Sequence, residues 1–372
     1  MLGFLLGALS WATPRLPPME RVEVSFKYTD DLNLEYMLQA IERQENHFLS
    51  LDLNQPIQIG KRHLNRQHLY RSLLAFQAIV METRSCFEAL PRLICDYVFD
   101  KKIQGRFEAY RPIPLEWERG AHNGQTFFTA YFTPDFRGSL IQTEQFKNPI
   151  YAMPRSRHLR SKTSDQINFE GALKGHNLEL FYVDASLYDI WLLHVQGGGR
   201  IRVKQPDQKE RFYYLSYAGT NKKTFKMLYR YMIDQGMIDS AHPTVPVQRA
   251  YLESHPEKMR EVLAVCPSYV YFRISEDEPA GVHVPLTVGR SLATDYRRFL
   301  EYGLIQYIRL DRPDPENQGN HHSMHRFFIS QDTGGAIKGN ARADLYLGYG
   351  EKAAKDAYNT HHLGEQYILI LK

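Results

Sequence analysis

Cysteine is scarce: Cys86, Cys95 and Cys266 are all that 372 residues contain. Three are too few for a disulfide framework and none has zinc spacing, so stability has to come from a buried core. The odd count leaves at least one free thiol in a monomer, and these cysteines carry no compartment signal. Charge of one sign is lacking too. The net charge is +4, spread along the chain, and the densest basic stretch, Arg155 to Lys162, is short and has no interleaved aromatics. Nucleic-acid binding rests on a concentrated basic footprint and is disfavoured, whereas a mild positive excess suits an anionic polymer. No apolar run is long enough to cross a bilayer. The opening Met1-Leu-Gly-Phe-Leu-Leu-Gly-Ala-Leu-Ser-Trp-Ala-Thr13 has the apolar part of a signal peptide without the basic residues that precede one, and no cysteine follows to accept a lipid. Residues 1–20 read as a leader, truncated or degenerate, or as a disordered segment; export is favoured and membrane association is left open.

What the chain does have is aromatic weight. Tryptophan numbers only 3, but 24 Tyr and 20 Phe favour strands and offer flat faces on which sugars stack. Most of these rings belong to the core, and only a Tyr beside a polar motif is informative. The length suggests two domains. The spacing predicts helices over 34–48, capped by Asp30-Asp31, over 64–82, and from Pro91 to Phe99. Strands are expected at 126–132, 190–195, 211–217, 269–274, 306–310, 326–330 and 366–371. A helix is expected from Lys222 to Gln235, short helices open at Pro246 and Pro256, and Asp311 to His322 reads as an exposed loop. Irregularly separated strands argue for barrels or α+β domains rather than βαβ units.

Four polar clusters carry candidate chemistry. The densest, Gln331 to Gly350, places Asp332 and Asp344 twelve residues apart among glycines that let a ligand approach the backbone; the plainer alternative is that Asp332 shapes a turn. The others are His194-Val-Gln-Gly-Gly-Gly-Arg200, Ser216-Tyr-Ala-Gly-Thr-Asn-Lys222 and Thr129-Ala-Tyr-Phe-Thr-Pro134. Three decoys sit nearby. Asp332-Thr-Gly matches the aspartic-protease tripeptide but has no second copy, which that chemistry needs. The Gly348 to Ala353 segment matches a dinucleotide fingerprint with too little chain left for a βαβ unit. His321, His322 and His325 lack a carboxylate partner at metal spacing.

Taken in order, these clusters resemble the membrane-bound lytic transglycosylase A family, which cleaves the glycan strands of bacterial peptidoglycan. The resemblance rests on Phe128-Thr-Ala-Tyr-Phe-Thr-Pro134, Ser186-Leu-Tyr-Asp189, Val195-Gln-Gly-Gly-Gly-Arg-Ile201, Leu215-Ser-Tyr-Ala-Gly-Thr-Asn221, Pro267-Ser-Tyr-Val-Tyr-Phe272, Val284-Pro-Leu-Thr-Val-Gly-Arg-Ser-Leu-Ala293 and the segment from Asp332 to Gly350. It covers roughly residues 125–372. It implies a mainly β fold with accessory helices: a double-psi β-barrel domain from 21–136 and 276–372, a smaller inserted β-barrel domain at 137–275, and a substrate groove between them. It also implies Asp344 as the catalytic residue, with Asp332 in support. Tyr131, Thr133, Gln196, Gly197, Ser216, Tyr217, Ala218, Gly219, Gly334 and Lys338 become candidates for substrate binding. No cofactor and no metal are called for. The implied partner is peptidoglycan, acted on by a monomer in the periplasm or at the outer membrane, with cell-wall synthesis or division complexes as candidate assemblies. The chain departs from the family in lacking an N-terminal Cys, in the middle glycine of Gln-Gly-Gly-Gly-Arg, and after Asp295 and near Glu301; both carboxylates remain.

The chemistry of that family needs one carboxylate. A hydrolytic glycosidase uses two, but a lytic transglycosylase attacks with the substrate's own C6 hydroxyl, whose effective concentration is already high. Asp344 is then expected to rest protonated, its pKa raised by burial beside Leu345 and Tyr346 or by Asp332; a contact with Lys338 would lower it. A non-catalytic glycan-binding protein and an aspartic protease are the rival readings.

Overall fold

The computed structural model describes residues 19–275, 281, 283–295, 302–313 and 321–372, so most of the leader segment lies outside the described residues. After β1 (Met19–Val22) comes α1 (Leu34–Leu49), capped not by Asp30-Asp31 but by Asn33, whose side chain accepts from the Glu35 amide. Asp30 is instead buried in an ion pair with Arg290. A hairpin of β2 (Pro56–Ile59) and β3 (Arg62–Asn65) leads to α2 (Arg66–Ala89), α3 (Arg92–Arg106) and β4 (Phe107–Pro112). The expected apolar stripes, Met37, Ile41 and Phe48 with Leu69, Leu73, Phe76 and Val80, are buried together against Tyr307 and Phe327. The third helix continues past Phe99 because Ile103 extends its buried stripe.

A disulfide between Cys86 and Cys95, nine residues apart, staples the turn joining α2 to α3; Cys266 is free and buried. Closing so short a loop restricts the unfolded chain by about 2–3 kcal/mol. Thermal unfolding with and without a reductant should therefore show the reduced protein melting several degrees lower; an unchanged transition would mean the bridge carries no stability.

From β5 (Thr126–Thr133) the chain passes into a six-stranded sheet in the order β11-β10-β9-β6-β8-β7, made by β6 (Asp135–Ser139), β7 (Asn148–Tyr151), β8 (Glu179–Val183), β9 (Gly198–Lys204), β10 (Glu210–Thr220) and β11 (Val270–Ser275). Helices α4 (Arg157–Arg160), α5 (Ser164–Asn168), α6 (Leu187–Gln196), α7 (Leu228–Asp234), α8 (Val245–Ser254) and α9 (Met259–Ala264) connect its strands. Two expectations are corrected here. The 190–195 run is helix, not strand: Ser186 caps α6 by accepting from the Asp189 amide, and Gly197 ends it at φ 76°. The helix expected from Lys222 starts only at Leu228, because the Asn221 side chain ties the preceding segment to Lys162, Pro267 and Tyr269.

The second large sheet returns with β12 (Ser291–Thr294), β13 (Ile305–Pro313), β14 (His321–Asp332), β15 (Arg342–Tyr349), α10 (Gly350–Tyr358) and β16 (His361–Leu371). It has eight strands in the order β1-β4-β16-β13-β14-β12-β15-β5, and β16 also pairs with β5, which closes six of them into a ring. Two pairs in the ring, β12 with β14 and β15 with β5, are parallel. Phe128, Leu292, Ile308, Met324, Phe328, Ala343 and Leu345 fill its interior. Part of the loop expected at Asp311 to His322 is strand, since Asp311 pairs with Ser323 in the β13–β14 hairpin. Helices occupy about as much of the chain as strands, so the architecture is mixed α/β with two main sheets rather than mainly β. The excess helix lies in α2, α3 and the connections of the inserted sheet.

Candidate active site

Alternation along β15 decides which side chains face outward. Ala343 and Leu345 point into the ring, so Arg342, Asp344 and Tyr346 lie on its outer face. Parallel pairing sets Asp344 opposite Thr129 and Tyr346 opposite Tyr131. On the other side Asp344 faces Ala293 of β12, and Ala293 also faces Asp332 at the end of β14. The small side chain of Ala293 thus stands between the two carboxylates.

Each carboxylate has a hydroxyl donor. Thr129 Oγ1 donates to Asp344 Oδ1, and Tyr131 Oη donates to Asp332 Oδ2 at 2.7 Å. Arg342 Nη2 in turn donates to Thr129 Oγ1 at 2.7 Å. That bond occupies the hydroxyl as an acceptor and commits its proton to Asp344. Asp344 itself is half-buried. Burial raises its pKa above the usual carboxylate value, opposed by the nearby Arg342 charge and the Thr129 hydrogen bond. Burial, then the Asp332 charge, holds Tyr131 protonated by raising its pKa well above that of a free phenol. The Tyr131 ring packs 5.2 Å from Tyr346, whose hydroxyl meets Thr133 Oγ1 at 2.8 Å.

The cation beside Asp344 comes from its own strand. Arg342, not Lys338, faces Asp344; Lys338 is half-buried on the β14–β15 connection with Gly334. The aspartic-protease arrangement, two carboxylates sharing a proton, is not what these partners build, since each carboxylate accepts a hydrogen bond from a hydroxyl of its own.

The remaining candidates lie on the inserted sheet. Gln196, the last residue of α6, accepts from the Phe132 amide through Oε1 at 3.4 Å and so touches β5 directly. Ser216 of β10 pairs with Gly198, and the strand bulges between Tyr217 and Gly219. Ser216 Oγ is buried without a partner, and Tyr217 is exposed. Ala218 and Gly219 are half-buried, and a Cβ on Gly219 would meet Met153 Sδ at 2.6 Å. Among the described contacts none joins Ser216, Tyr217, Ala218 or Gly219 to the carboxylates. The two sheets meet through the Arg200 amide, bonded to Pro134 O at 2.8 Å, and through its guanidinium, 4.4 Å from the Tyr349 ring centre.

Sequence reasoning missed Thr129 and Arg342 as partners of Asp344. The two-residue spacing of Arg342, Asp344 and Tyr346, matched by Thr129, Tyr131 and Thr133, was the signal available. His321 and His322 have side chains outside the described ones, and among the described residues no group of three or more His, Cys, Asp or Glu is placed to hold a metal.

Replacing Thr129 with Val removes a hydrogen bond that lowers the Asp344 pKa. Asp344 should then stay protonated to higher pH, which a titration profile of its carboxyl carbon followed by NMR would show. A profile unmoved, or moved downward, would detach Thr129 from Asp344.

Comparison with known proteins adds to this geometry. The model of the MltA specific insert domain matches residues 127–273, and that of the 3D domain matches residues 290–370. Membrane-bound lytic murein transglycosylase A of Vibrio cholerae is 31% identical over 258 residues, 68% of this chain and 67% of its own. The Escherichia coli protein of the same name is 30% identical over 257 residues, 68% of each chain. Among solved structures, E. coli MltA with bound chitohexaose superposes with a TM-score of 0.75 at 23% identity, covering 95% of this chain and 94% of that one. The membrane-bound lytic murein transglycosylase of Agrobacterium tumefaciens gives 0.71 at 21% identity, covering 95% and 98%. Both share the fold.

Proposed function

The chain belongs to the MltA family of lytic murein transglycosylases, and from that membership we propose that it cleaves peptidoglycan with Asp344 as its one acid/base. The bond broken is the β-1,4 link between N-acetylmuramic acid and N-acetylglucosamine. What supports the reading is one carboxyl, raised in pKa by burial, with a single oxygen already taken by a fixed hydroxyl. Because Oδ1 accepts from Thr129, the acidic proton rides on Oδ2. Asp344 gives that proton to the glycosidic oxygen as the bond to the anomeric carbon breaks. Its carboxylate then takes the proton of the muramic C6 hydroxyl as that oxygen closes on the anomeric carbon. A 1,6-anhydro ring forms, no water is consumed, and Asp344 ends protonated as it began.

Asp332, held by Tyr131, supplies negative charge near the anomeric carbon as positive charge develops there. Gln196 with Gly197, Ser216 with Tyr217, Ala218 and Gly219, and Thr133, Gly334 and Lys338 line the path of the glycan in this reading. In this reading the six-strand ring with its two parallel pairs belongs to a double-psi β-barrel domain drawn from 21–136 and 276–372, with an inserted domain at 137–275; the ring's closure and the separate core of the inserted sheet support it. The glycan lies between them.

The relatives carry "membrane-bound" in their names, and no helix among the described residues is long and apolar enough to cross a membrane. The Cys86–Cys95 bridge favours an oxidising envelope compartment. Digestion of peptidoglycan in ¹⁸O-labelled water tests the mechanism. The new ends should carry no label, and labelled reducing ends would make water the nucleophile.

A further inference from the structure

Resting on the transglycosylase reading, we propose that Arg119 and Arg342 form an anion subsite beside Asp344 that grips a carboxylate carried by the muramic acid of the substrate. The two guanidinium carbons lie 4.2 Å and 5.3 Å from the centre of one ring, Phe127. Phe127 is the register partner of Arg342 across β5 and β15, so both cations sit at one place on the outer face of the ring of strands. Arg342 is two residues before Asp344 on the same strand, a separation of about 7 Å, roughly one sugar.

Neither arginine has a carboxylate at ion-pair distance among the described residues. The nearby Glu118 is buried and already accepts from the Leu115 and Ala341 amides. Two like charges at one site repel: burial lowers the Arg342 pKa, the Asp344 charge works against that fall, and the Arg119 charge adds to it. An anion placed between them would relieve that cost. Arg342 is also aimed. Its Nη1 donates to Ala343 O at 2.5 Å and its Nη2 to Thr129, which leaves further N–H groups to bind. Its Nε is not shut away unpartnered as the buried Nε of Arg200, Arg290 and Arg312 are. Arg119 is exposed and completes the pair from the segment before β5.

The chemistry of the substrate supplies the anion. Muramic acid carries a lactyl ether whose carboxyl is either free or amide-linked to a stem peptide with carboxylates of its own. Chitohexaose has neither group. A planar guanidinium binds a carboxylate through two parallel hydrogen bonds, so the pair would select muramic acid over N-acetylglucosamine at this position.

Dissociation constants measured with the Asp344→Asn protein, which turns nothing over, test this with three glycans: stem-bearing peptidoglycan fragments, the same fragments stripped by an amidase, and chitohexaose. Arg119→Gln in that background should weaken binding of the stem-bearing fragments by about tenfold, and added salt should erase the difference. Chitohexaose binding should not change. A loss on the stripped fragments identifies the freed lactyl carboxylate as an anion the pair accepts, and a loss confined to the intact ones identifies the carboxylates of the stem peptide. Unchanged binding of every glycan, or the same loss on chitohexaose, overturns the subsite. The functional reading fails separately, if the wild-type protein does not cleave peptidoglycan.

Discussion

Asp344→Asn should lower kcat on peptidoglycan by about 10⁴-fold, the upper range for a positioned proton donor, because no second group shares the task. The same substitution should not harm the fold. Burial raises the Asp344 pKa, so ionising the group costs more in the folded chain than in the unfolded one. Below the unfolded pKa both states are protonated and the group contributes nothing. Above it the penalty grows with pH until the folded pKa is passed, and then stays constant. Asn removes the penalty, so the variant should melt at or above the wild-type temperature at neutral pH and match it near pH 3. A variant that loses both activity and stability at neutral pH would mean Asp344 serves structure rather than chemistry.

Arg290→Met should cost about 3–5 kcal/mol of stability in urea unfolding, the largest loss expected from one surface-distant substitution. Arg290 is fully buried and holds Asp30 through two bonds, Nη1 to Oδ2 at 2.7 Å and Nη2 to Oδ1 at 2.8 Å. The guanidinium also donates to the Phe327, Leu32 and Asn33 carbonyls, and Asp30 accepts from the Phe327 amide at 3.0 Å. Removing the cation strands a buried carboxylate and three acceptors. Pairing the change with Asp30→Leu should recover much of the loss, since two apolar groups leave no charge unpartnered. An additive double variant would show the pair to be uncoupled. Arg290 also directly precedes β12, the strand whose Ala293 separates Asp332 from Asp344, so the single variant should lose activity along with stability.

The ring of strands could be read in the sequence because β5, β13, β14 and β16 are dense in aromatic and β-branched residues bounded by turn signals. The segment 190–195 misled because it is apolar at every position. Ile190 and Leu193 pack on the inserted sheet while Trp191 and Leu192 pack on the helices behind it, so neither period stands out. Asp332 and Asp344 were legible from motif order alone, and Tyr131 and Thr133 from theirs. The partners that tune them were not. Thr129 reaches Asp344 across 215 residues and Arg290 reaches Asp30 across 260, separations that only strand pairing and packing bring together. Arg342 was hidden differently. It sits two residues from Asp344, yet its outward face became evident only once Ala343 and Leu345 were seen to fill the ring.

Mass spectrometry of purified peptidoglycan digested by the wild-type protein and by Asp344→Ala tests most directly whether one carboxyl performs both proton transfers. Muropeptides ending in 1,6-anhydromuramic acid should come from the wild type and be absent with the variant. Reducing-end products from the wild type, or anhydro products that persist without Asp344, would contradict it.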